Sequence, residues 1–286
     1  MTVTATFGQR LAAAVERLGN LCVGVDPHPA LLSAWGLPDT PDGVERFSAT
    51  VLEAVAGQVA VIKPQVALFE RLGSQGMAAL ERLLSRSAEA GVLTIADAKR
   101  GDIGSTMAGY ADAWLRDGSA LAADALTLSP YLGFESLRPA LDAARETNRG
   151  VFVLALTSNP EGASVQHVGG EDSVARRIVE AAAAENRDGA PGSVGLVIGA
   201  TAGEAVRRLG LDLSTLNGPI LAPGVGAQGA GQRELRDTFR GATGLVLPNS
   251  SREILSAGPT VEGLRKAAAA TQRAVDLSRG TGSGTD

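Results

Sequence analysis

Eight short apolar runs, separated by stretches with helical spacing, constrain the fold of this chain more than any other feature. Each run is apolar nearly throughout and does not alternate, which is typical of strands buried on both faces. The runs predict strands at Asn20–Asp26, Val59–Gln65, Val92–Lys99, Ala125–Pro130, Val151–Ser158, Val194–Thr201, Pro219–Val225 and Gly244–Asn249. The stretches between them predict helices at Ala67–Ala90, Ser105–Arg116, Glu171–Asn186, Gly229–Arg240 and Thr260–Leu277.

This alternation favours an α/β fold, a single-domain (β/α)8 TIM barrel, whose usual length of about 250 residues fits this chain of 286. A doubly wound open sheet is the alternative. Its dinucleotide-binding version is disfavoured because no Gly-x-Gly-x-x-Gly follows the first run, which ends in Val25-Asp26-Pro27-His28. We expect one catalytic domain over residues 1–277. The polar, glycine-rich residues 278–286 predict a disordered C-terminal tail.

Charge and hydropathy argue against two classes of partner. The formal net charge of −5 gives no support to binding of nucleic acid or of a membrane surface, both of which favour basic patches. No apolar stretch approaches the roughly 18 residues that span a bilayer, and the N-terminal MTVTATFGQR lacks the layout of a signal peptide. We therefore expect a cytoplasmic protein with no nucleic-acid or membrane partner.

Cysteine and histidine usage argues against metal and thiol chemistry. The single cysteine, Cys22, lies in an apolar run and predicts a buried structural thiol, not a nucleophile. No cluster of His, Cys and Glu has metal-ligand spacing, so no metal site is expected. His28 and His167 fall in loops and are expected at the surface.

Charged residues gather where the predicted strands end. In a barrel these ends converge on one face, so Asp26, Lys63, Asp97 and Lys99 would become neighbours. Side chains two apart on a strand share one face, and Asp97 and Lys99 would therefore project together, with Asp102 three residues further on. Charges in a largely apolar barrel mouth are costly unless they pair with one another. The cluster is thus a candidate catalytic site.

The last two strands carry a different chemistry. The glycine-rich segment Pro223–Gly229 allows backbone N–H groups to converge on an anion, and Arg252 after the eighth strand can bind a phosphate bidentately. Phosphate sites after strands seven and eight recur in barrels, so a phosphorylated ligand is predicted. Two long predicted loops on the same face, Pro27–Gly43 and Asn159–Gly170, would help to shape the pocket.

The segment Asp97-Ala98-Lys99-Arg100-Gly101-Asp102 resembles the Asp-x-Lys-x-x-Asp motif of the orotidine 5′-phosphate decarboxylase family, in particular its longer branch from mycobacteria and other bacteria. The resemblance runs from about Asn20 to Arg252. Further matching segments are Gly24-Val25-Asp26-Pro27, Val61-Ile62-Lys63-Pro64-Gln65, Ile103-Gly104-Ser105-Thr106, Pro130-Tyr131-Leu132-Gly133, Thr157-Ser158-Asn159-Pro160 and Pro223–Gly229.

The resemblance implies decarboxylation of orotidine 5′-monophosphate to UMP, the last step of pyrimidine synthesis, without a metal or organic cofactor. Lys99 would protonate C6 of the pyrimidine, and Asp97 would lie against the leaving carboxylate and beside Lys63. The resemblance also implies a homodimer with shared active sites, in which Asp102 and Thr106 serve the partner's site.

The remaining implied roles concern substrate binding. Asp26 and Lys63 would hold the ribose hydroxyls, and Ser158 would bind the amide edge of the pyrimidine. The phosphate would be held by Gln228, Arg252 and the backbone near Gly226. Ser251 departs from the family pattern, because many relatives place glycine immediately before the arginine.

Two other functions are compatible with the motif. One is a Mg²⁺-dependent sugar-phosphate lyase of the same superfamily, which would place an acidic metal ligand near the end of the second strand, where this chain has Lys63. The other is a non-catalytic barrel that binds a nucleotide. A pure binder gains nothing from a like-charge clash between Asp97 and the ligand, which disfavours the second alternative.

Overall fold

A computed structural model describes residues 4–187, 191–226 and 229–276. Eight parallel strands form a closed barrel in which each strand pairs with its neighbours in sequence and β8 pairs with β1. The strands are β1 Cys22–Val25, β2 Val61–Pro64, β3 Leu93–Arg100, β4 Ala125–Leu128, β5 Gly150–Leu156, β6 Val194–Ile198, β7 Ile220–Pro223 and β8 Val246–Ser250. The TIM-barrel prediction is confirmed, and each strand lies within or overlaps its predicted run.

Helices surround the barrel. Over the described residues they are α1 Phe7–Leu18, α2 Pro29–Ala34, α3 Pro41–Val55, α4 Ala67–Glu70, α5 Gly73–Glu89, α6 Gly104–Leu115, α7 Arg138–Glu146, α8 Ala163–Gln166, α9 Val174–Glu185, α10 Gly203–Arg208, α11 Gln232–Thr238, α12 Arg252–Leu255 and α13 Val261–Val275. Within the described ranges, none of these helices is both long and apolar enough to cross a membrane.

One predicted helix and two predicted loops need correction. The single helix predicted at Ala67–Ala90 is two helices, because Gly73 has a φ of +65°, which an α-helix does not allow. The predicted loop Pro27–Gly43 contains α2 and the first turn of α3, which Thr40 caps by accepting a hydrogen bond from the Gly43 N–H. Likewise, the predicted loop Asn159–Gly170 contains α8. The predicted tail, residues 278–286, lies outside the described residues.

Two separate layers of apolar side chains explain why the strands do not alternate. The outer layer lies between the strands and the surrounding helices. The inner layer fills the barrel with one side chain from each strand: Cys22, Val61, Ile95, Ala125, Phe152, Val197, Leu221 and Leu247. Phe7 and Leu11 of α1 join this inner layer, and the Phe7 ring meets Phe152 edge-on with 6.0 Å between ring centroids. An N-terminal helix that the sequence reading did not predict thus completes the barrel core.

The two-residue period of a strand places a polar layer directly beyond the apolar one. Two residues after Val61, Ile95, Ala125 and Leu247, the inward positions on the same four strands hold different side chains. These are Lys63, Asp97, Thr127 and Asn249, all of them buried. Polar chemistry inside the barrel is therefore concentrated toward the C-terminal ends of the strands.

Candidate active site

The Asp97 carboxylate is the centre of the polar layer. Lys63 Nζ lies 2.8 Å from Asp97 Oδ2, and Lys99 Nζ lies 2.5 Å from Asp97 Oδ1. Two of the chain's three lysines thus meet at one carboxylate. The side chains of Lys63 and Asp97 are only 4% and 8% exposed, whereas that of Lys99 is 45% exposed. Lys99 is therefore the member of this group that an incoming ligand can reach.

Two neutral donors, which the sequence reading did not identify, complete the environment of Asp97. Gln65 Nε2 donates to Oδ2 at 3.1 Å, and Thr127 Oγ1 donates to Oδ1 at 3.1 Å. Each carboxylate oxygen therefore accepts hydrogen bonds from one ammonium and one neutral group. A signal for both was present, because Gln65 and Thr127 lie two residues after the inward positions Lys63 and Ala125.

At this cluster, charge pairing has a larger effect on the pKa values than burial has. Burial alone would lower the pKa of Lys63, but the Asp97 and Asp26 carboxylates raise that pKa above its usual range. Burial alone would likewise raise the pKa of Asp97, yet Lys63 and Lys99 hold it well below its usual range. Lys63 and Asp97 therefore both carry their charges at neutral pH.

The backbone of β3 is irregular at this point. The β3–β4 register shifts between Ala96 and Arg100, and Lys99 has a φ of +48°, a left-handed conformation that is uncommon for a residue other than glycine. Thr127 Oγ1 accepts a hydrogen bond from the Lys99 N–H at 2.9 Å. Bulges of this kind re-aim side chains and are over-represented beside active sites.

Asp26 directly follows β1 and lines the same pocket as Lys63. Its Oδ1 is buried and has no hydrogen-bond partner among the described residues. An unsatisfied carboxylate oxygen in such a position costs free energy until a donor reaches it. A ligand hydroxyl group would supply that donor.

The charged residues line a pocket of about 310 Å³ at the C-terminal ends of the strands. Its lining combines the charge cluster with apolar side chains from the opposite strands and with polar groups that follow β7 and β8. These lining residues include Asp26, Lys63, Gln65, Asp97, Lys99, Leu154, Thr157, Val197, Leu221, Gly224, Asn249, Ser251 and Arg252.

Of the predicted phosphate ligands, Arg252 lines the pocket and Gly226 does not. Arg252 is the first residue of α12 and is exposed. The Gly226 N–H donates to the Ala230 carbonyl at 3.1 Å. Gly226 has a φ of +74°, so a larger residue would be strained there and its Cβ would also displace the side-chain carboxylate of Glu253. Gln228 lies outside the described residues.

Three other predicted residues lie apart from the pocket. Asp102 is half-buried, and its Oδ1 accepts a hydrogen bond from the N–H of the adjacent Ile103 at 2.8 Å. Thr106 is exposed on the first turn of α6. Ser158 lines a neighbouring cavity that also contains His167. The structure therefore unites Asp26, Lys63, Asp97, Lys99 and Arg252 around one pocket. Outside its lining lie Asp102, Thr106, Ser158 and Gly226.

Cys22 lies deeper in the barrel than the charge cluster and is buried, as predicted. Burial raises the pKa of its thiol from 9.0 to about 12, which keeps it protonated at neutral pH. Asn249 Nδ2 donates to the Cys22 carbonyl at 3.1 Å. Among the described residues, no group of three or more His, Cys, Asp or Glu side chains is arranged to hold a metal ion.

Comparison with known proteins connects this geometry to a family. Residues 19–267 match the model of the orotidine 5′-phosphate decarboxylase / HUMPS family. A curated orotidine 5′-phosphate decarboxylase from Salinispora arenicola is 53% identical over 266 residues, covering 92% of this chain and 94% of the relative. One from Streptomyces coelicolor is 54% identical over 265 residues, covering 92% and 94%.

A solved structure is similar over nearly the whole chain. The crystal structure of a protein described as an orotidine 5′-phosphate decarboxylase from Streptomyces avermitilis superposes with a TM-score of 0.91. It is 51% identical, and the match covers 96% of this chain and 97% of that chain.

Proposed function

This chain belongs to the orotidine 5′-phosphate decarboxylase / HUMPS family, and we propose that it converts orotidine 5′-monophosphate to UMP and CO2, the final step of UMP biosynthesis. The chain is accordingly an enzyme, a carboxy-lyase. The observation that carries this function is the Lys63–Asp97–Lys99 cluster, which is prearranged at the opening of a pocket whose other side carries Arg252.

Lys99 supports the chemical step. Loss of CO2 breaks the bond to C6 and leaves the electron pair on an sp2 carbon, where no cofactor is required if a fixed positive charge stabilises it. Lys99 Nζ is accessible from the pocket and supplies that charge. It then donates a proton to C6, and its neutral amine regains a proton from solvent.

Asp97 contributes through its own charge. Lys63 and Lys99 hold its pKa well below the usual range, so it presents a carboxylate to the substrate carboxylate. That like-charge repulsion disappears as the substrate carboxylate becomes neutral CO2, which favours the transition state over the bound substrate. Lys63, paired with Asp97 at 2.8 Å, keeps the buried carboxylate from being an uncompensated charge.

The rest of the pocket would hold the nucleotide. Asp26 and Lys63 would hydrogen-bond the ribose hydroxyls. The Asp26 carboxylate, whose Oδ1 is unsatisfied, would accept from a hydroxyl, and the Lys63 ammonium would donate to one. Arg252, assisted by Gln228 and the backbone near Gly226, would hold the phosphate. Ser158 follows Thr157, which does line the pocket, and would bind the amide edge of the pyrimidine. Binding of the phosphate and ribose, remote from C6, would contribute free energy to organising the reacting groups.

The same reasoning supports a homodimer with shared sites. Asp102 and Thr106 lie outside the pocket of their own subunit, beside the exposed apolar side chain of Ile103. Tyr131 and Leu132, on the adjacent loop after β4, are also exposed. The two loops are joined, because the Ser129 N–H donates to the Arg100 carbonyl at 2.7 Å. Together they form an apolar rim that would be covered when Asp102 and Thr106 enter a partner's site.

Mixing two inactive variants tests this dimer. In a mixed dimer of Lys99→Ala and Asp102→Ala subunits, one site would combine an intact Lys99 with an intact Asp102 from the other subunit. We expect each variant alone to be inactive and the remixed pair to regain up to about a quarter of wild-type turnover. Sedimentation velocity gives the oligomeric state. A monomer, or no recovery after remixing, would contradict the shared site.

The Mg²⁺-dependent lyase alternative is disfavoured by Lys63. Its ammonium occupies the end of β2, 2.8 Å from Asp97, where a metal-dependent relative would need an acidic ligand. An ammonium at that position repels a divalent cation. No observation specifically favours the lyase, and an assay with chelator separates the two reactions.

The direct test is the loss of orotidine 5′-monophosphate absorbance on incubation with purified protein in excess EDTA. The protein should be produced in a host that lacks its own decarboxylase, so that no contaminating activity is measured. We expect turnover to UMP that is unaffected by EDTA. Absence of turnover would overturn the proposed function. Mg²⁺-dependent turnover of a sugar phosphate by the same protein, in a parallel assay, would favour the lyase.

A cytoplasmic location also follows from the proposed reaction, because its substrate and product are charged nucleotides. Cell fractionation with an antibody against the protein would test this. We expect the protein and its decarboxylase activity in the cytoplasmic fraction, and their recovery in another fraction would contradict the proposal.

A further inference from the structure

Thr127, on β4, makes two hydrogen bonds at the centre of the charge cluster. Its hydroxyl is buried and accepts from the Lys99 N–H at 2.9 Å. It donates to Asp97 Oδ1 at 3.1 Å, whereas the other acceptor within reach, the Ala96 carbonyl, is at 3.5 Å. A hydroxyl has one proton, and the Lys99 N–H can only donate. The hydroxyl proton is therefore best placed on Asp97.

These two bonds fix the positions of the Lys99 backbone and the Asp97 carboxylate on β3. The Lys99 backbone is in a left-handed conformation, which is strained for a residue other than glycine and persists only when its surroundings hold it. The register shift removes Lys99 from the regular β3–β4 pairing, so the Thr127 hydroxyl provides the acceptor for its N–H. The same hydroxyl fixes the carboxylate oxygen that Lys99 Nζ contacts at 2.5 Å.

We propose that Thr127 is a positioning residue for the decarboxylation, a role that rests on the proposed function. When Lys99 Nζ turns from Asp97 toward C6, Asp97 Oδ1 loses its charged partner. The Thr127 hydroxyl remains on that oxygen, holds the carboxylate in place and favours its ionised form. It simultaneously anchors the Lys99 backbone from which the ammonium extends. Thr127 thus sets the angle between the two reacting groups without touching the substrate.

The chain offers a matched control at the opposite end of β3. Thr94 is also buried, and its hydroxyl makes the same pair of bonds: it donates to Asp124 Oδ2 at 3.2 Å and accepts from the Asp124 N–H at 3.2 Å. This site lies at the N-terminal end of β3, away from the pocket. Thr94→Val therefore measures the loss of a bridging buried hydroxyl where no catalytic group depends on it.

The experiment compares Thr127→Val, Thr127→Ser and Thr94→Val for kcat, KM and Tm. We expect Thr127→Val to lower kcat by about 10- to 100-fold, because small misplacements of reacting groups have effects of this size. Its KM should change less than about threefold, since remote phosphate and ribose contacts dominate binding. Thr127→Ser, which retains the hydroxyl, should stay within about threefold of wild type. Thr94→Val should keep the wild-type kcat, while its Tm should fall by about as much as that of Thr127→Val.

The split between kcat and KM, together with rescue by serine, separates positioning from a structural role. A variant that is only less stable loses Tm, as Thr94→Val should, but its folded molecules keep the wild-type kcat. A loss of kcat at nearly unchanged KM, restored by Thr127→Ser, is therefore specific to misplaced reacting groups. If Thr127→Val is not recovered folded, Thr127→Ala replaces it in the same measurements.

The outcomes distinguish this inference from the proposed function. A wild-type protein without turnover overturns the proposed function, and the role of Thr127 with it. An active wild type overturns the Thr127 role alone if Thr127→Val retains its kcat, if Thr127→Ser fails to restore it, or if Thr94→Val loses as much. A loss of kcat confined to Thr127→Val, with KM nearly unchanged, supports the role.

Discussion

The two sides of the pocket differ in how completely their polar groups are paired within the protein. At the ends of β2 and β3, Asp97 accepts four hydrogen bonds, and Lys63 is almost fully buried against it. Beyond β8, Arg252 is exposed and forms no ion pair with any described residue. The first side is part of the folded core, whereas the second is a surface group available to a ligand.

The difference separates groups that affect the free energy of folding from groups that affect the free energy of ligand binding. Charges buried and paired within the core contribute to folding and to the orientation of the reacting groups, so their removal should cost both stability and turnover. An exposed arginine that contacts only ligand should affect binding alone. The substitutions below test this separation, beginning with the largest expected effect.

Replacing Lys99 should have the largest effect on activity. Lys99→Ala removes both the positive charge that stabilises the carbanion and the proton donor, and kcat should fall by about 10⁴-fold or more. Steady-state assays by orotidine 5′-monophosphate absorbance would measure it. Lys266→Ala is the matched control, because Lys266 is exposed and, among the described residues, pairs only with Glu262 on α13. Turnover near the wild-type level in Lys99→Ala would refute the role assigned to Lys99.

Replacing Lys63 should have the largest effect on stability. Lys63→Met leaves Asp97 buried with one of its two cations, and breaking a buried ion pair typically costs about 3–5 kcal/mol. Denaturant unfolding would show this as a lower free energy of unfolding, and turnover should fall as well. Arg252→Met, on the other side of the pocket, should leave the free energy of unfolding unchanged. Equal losses for the two variants would contradict the comparison.

Replacing Arg252 should affect substrate binding more than turnover. Arg252→Ala removes a charge-assisted contact to the phosphate, worth about 1.5–3 kcal/mol, so KM should rise by about 10- to 100-fold. Arg240→Ala provides the control, because Arg240 is an exposed arginine on the surface, paired with Asp237. A fall in kcat with unchanged KM would place Arg252 among the reacting groups instead.

The smallest expected effect is on alkaline stability. The pKa of Cys22 rises from 9.0 to about 12 on folding, so above pH 9 the unfolded chain releases this proton and the folded chain retains it. The free energy of unfolding should therefore fall with rising pH, by up to about 1.4 kcal/mol per pH unit from this group. Lys63, whose pKa is raised above 10.5, adds to the fall only at higher pH.

Cys22→Ala isolates this contribution. Denaturant unfolding at pH 8 and pH 10 should show a smaller loss between the two conditions for Cys22→Ala than for wild type. The difference between the two pH values is compared, because the absolute stability of the variant also includes the cavity left by the sulfur. Identical losses would mean that the thiol is not insulated from solvent as its burial implies.

The barrel was predictable from local sequence because each of its strands is buried on both faces. A continuous apolar run such as Val92–Lys99 carries that information within a few residues, and the structure places β3 at Leu93–Arg100. The helix α1 was missed although local signals were present, a Thr6/Gln9 capping box and an apolar stripe over Phe7–Leu18. Distant contacts decide only its place, because Phe7 packs on Phe152 inside the barrel. The break at Gly73 depends on a single backbone angle.

The candidate site was predictable to the extent that strand ends determine it. Asp26, Lys63, Asp97 and Lys99 line one pocket as expected, and Arg252 joins them from beyond β8. Gln65 and Thr127 were missed, although both lie inside or beside predicted strands. The two-residue period places Thr127 on the inward face of its strand, but its importance depends on the carboxylate of another strand, which no local pattern indicates.

The sequence by itself determined the strand and helix order, the face on which charged residues collect and, through the family motif, the reaction to consider. Those properties depend on local periodicity and on residues close together in the chain. The tertiary structure alone decided that Asp97 accepts hydrogen bonds from Lys63, Gln65, Lys99 and Thr127. It also decided that Lys99 adopts a left-handed backbone and that Asp102 lies outside the lining of the pocket. The physical reason is that inter-strand register brings residues dozens of positions apart within hydrogen-bonding distance, and no local pattern encodes that distance.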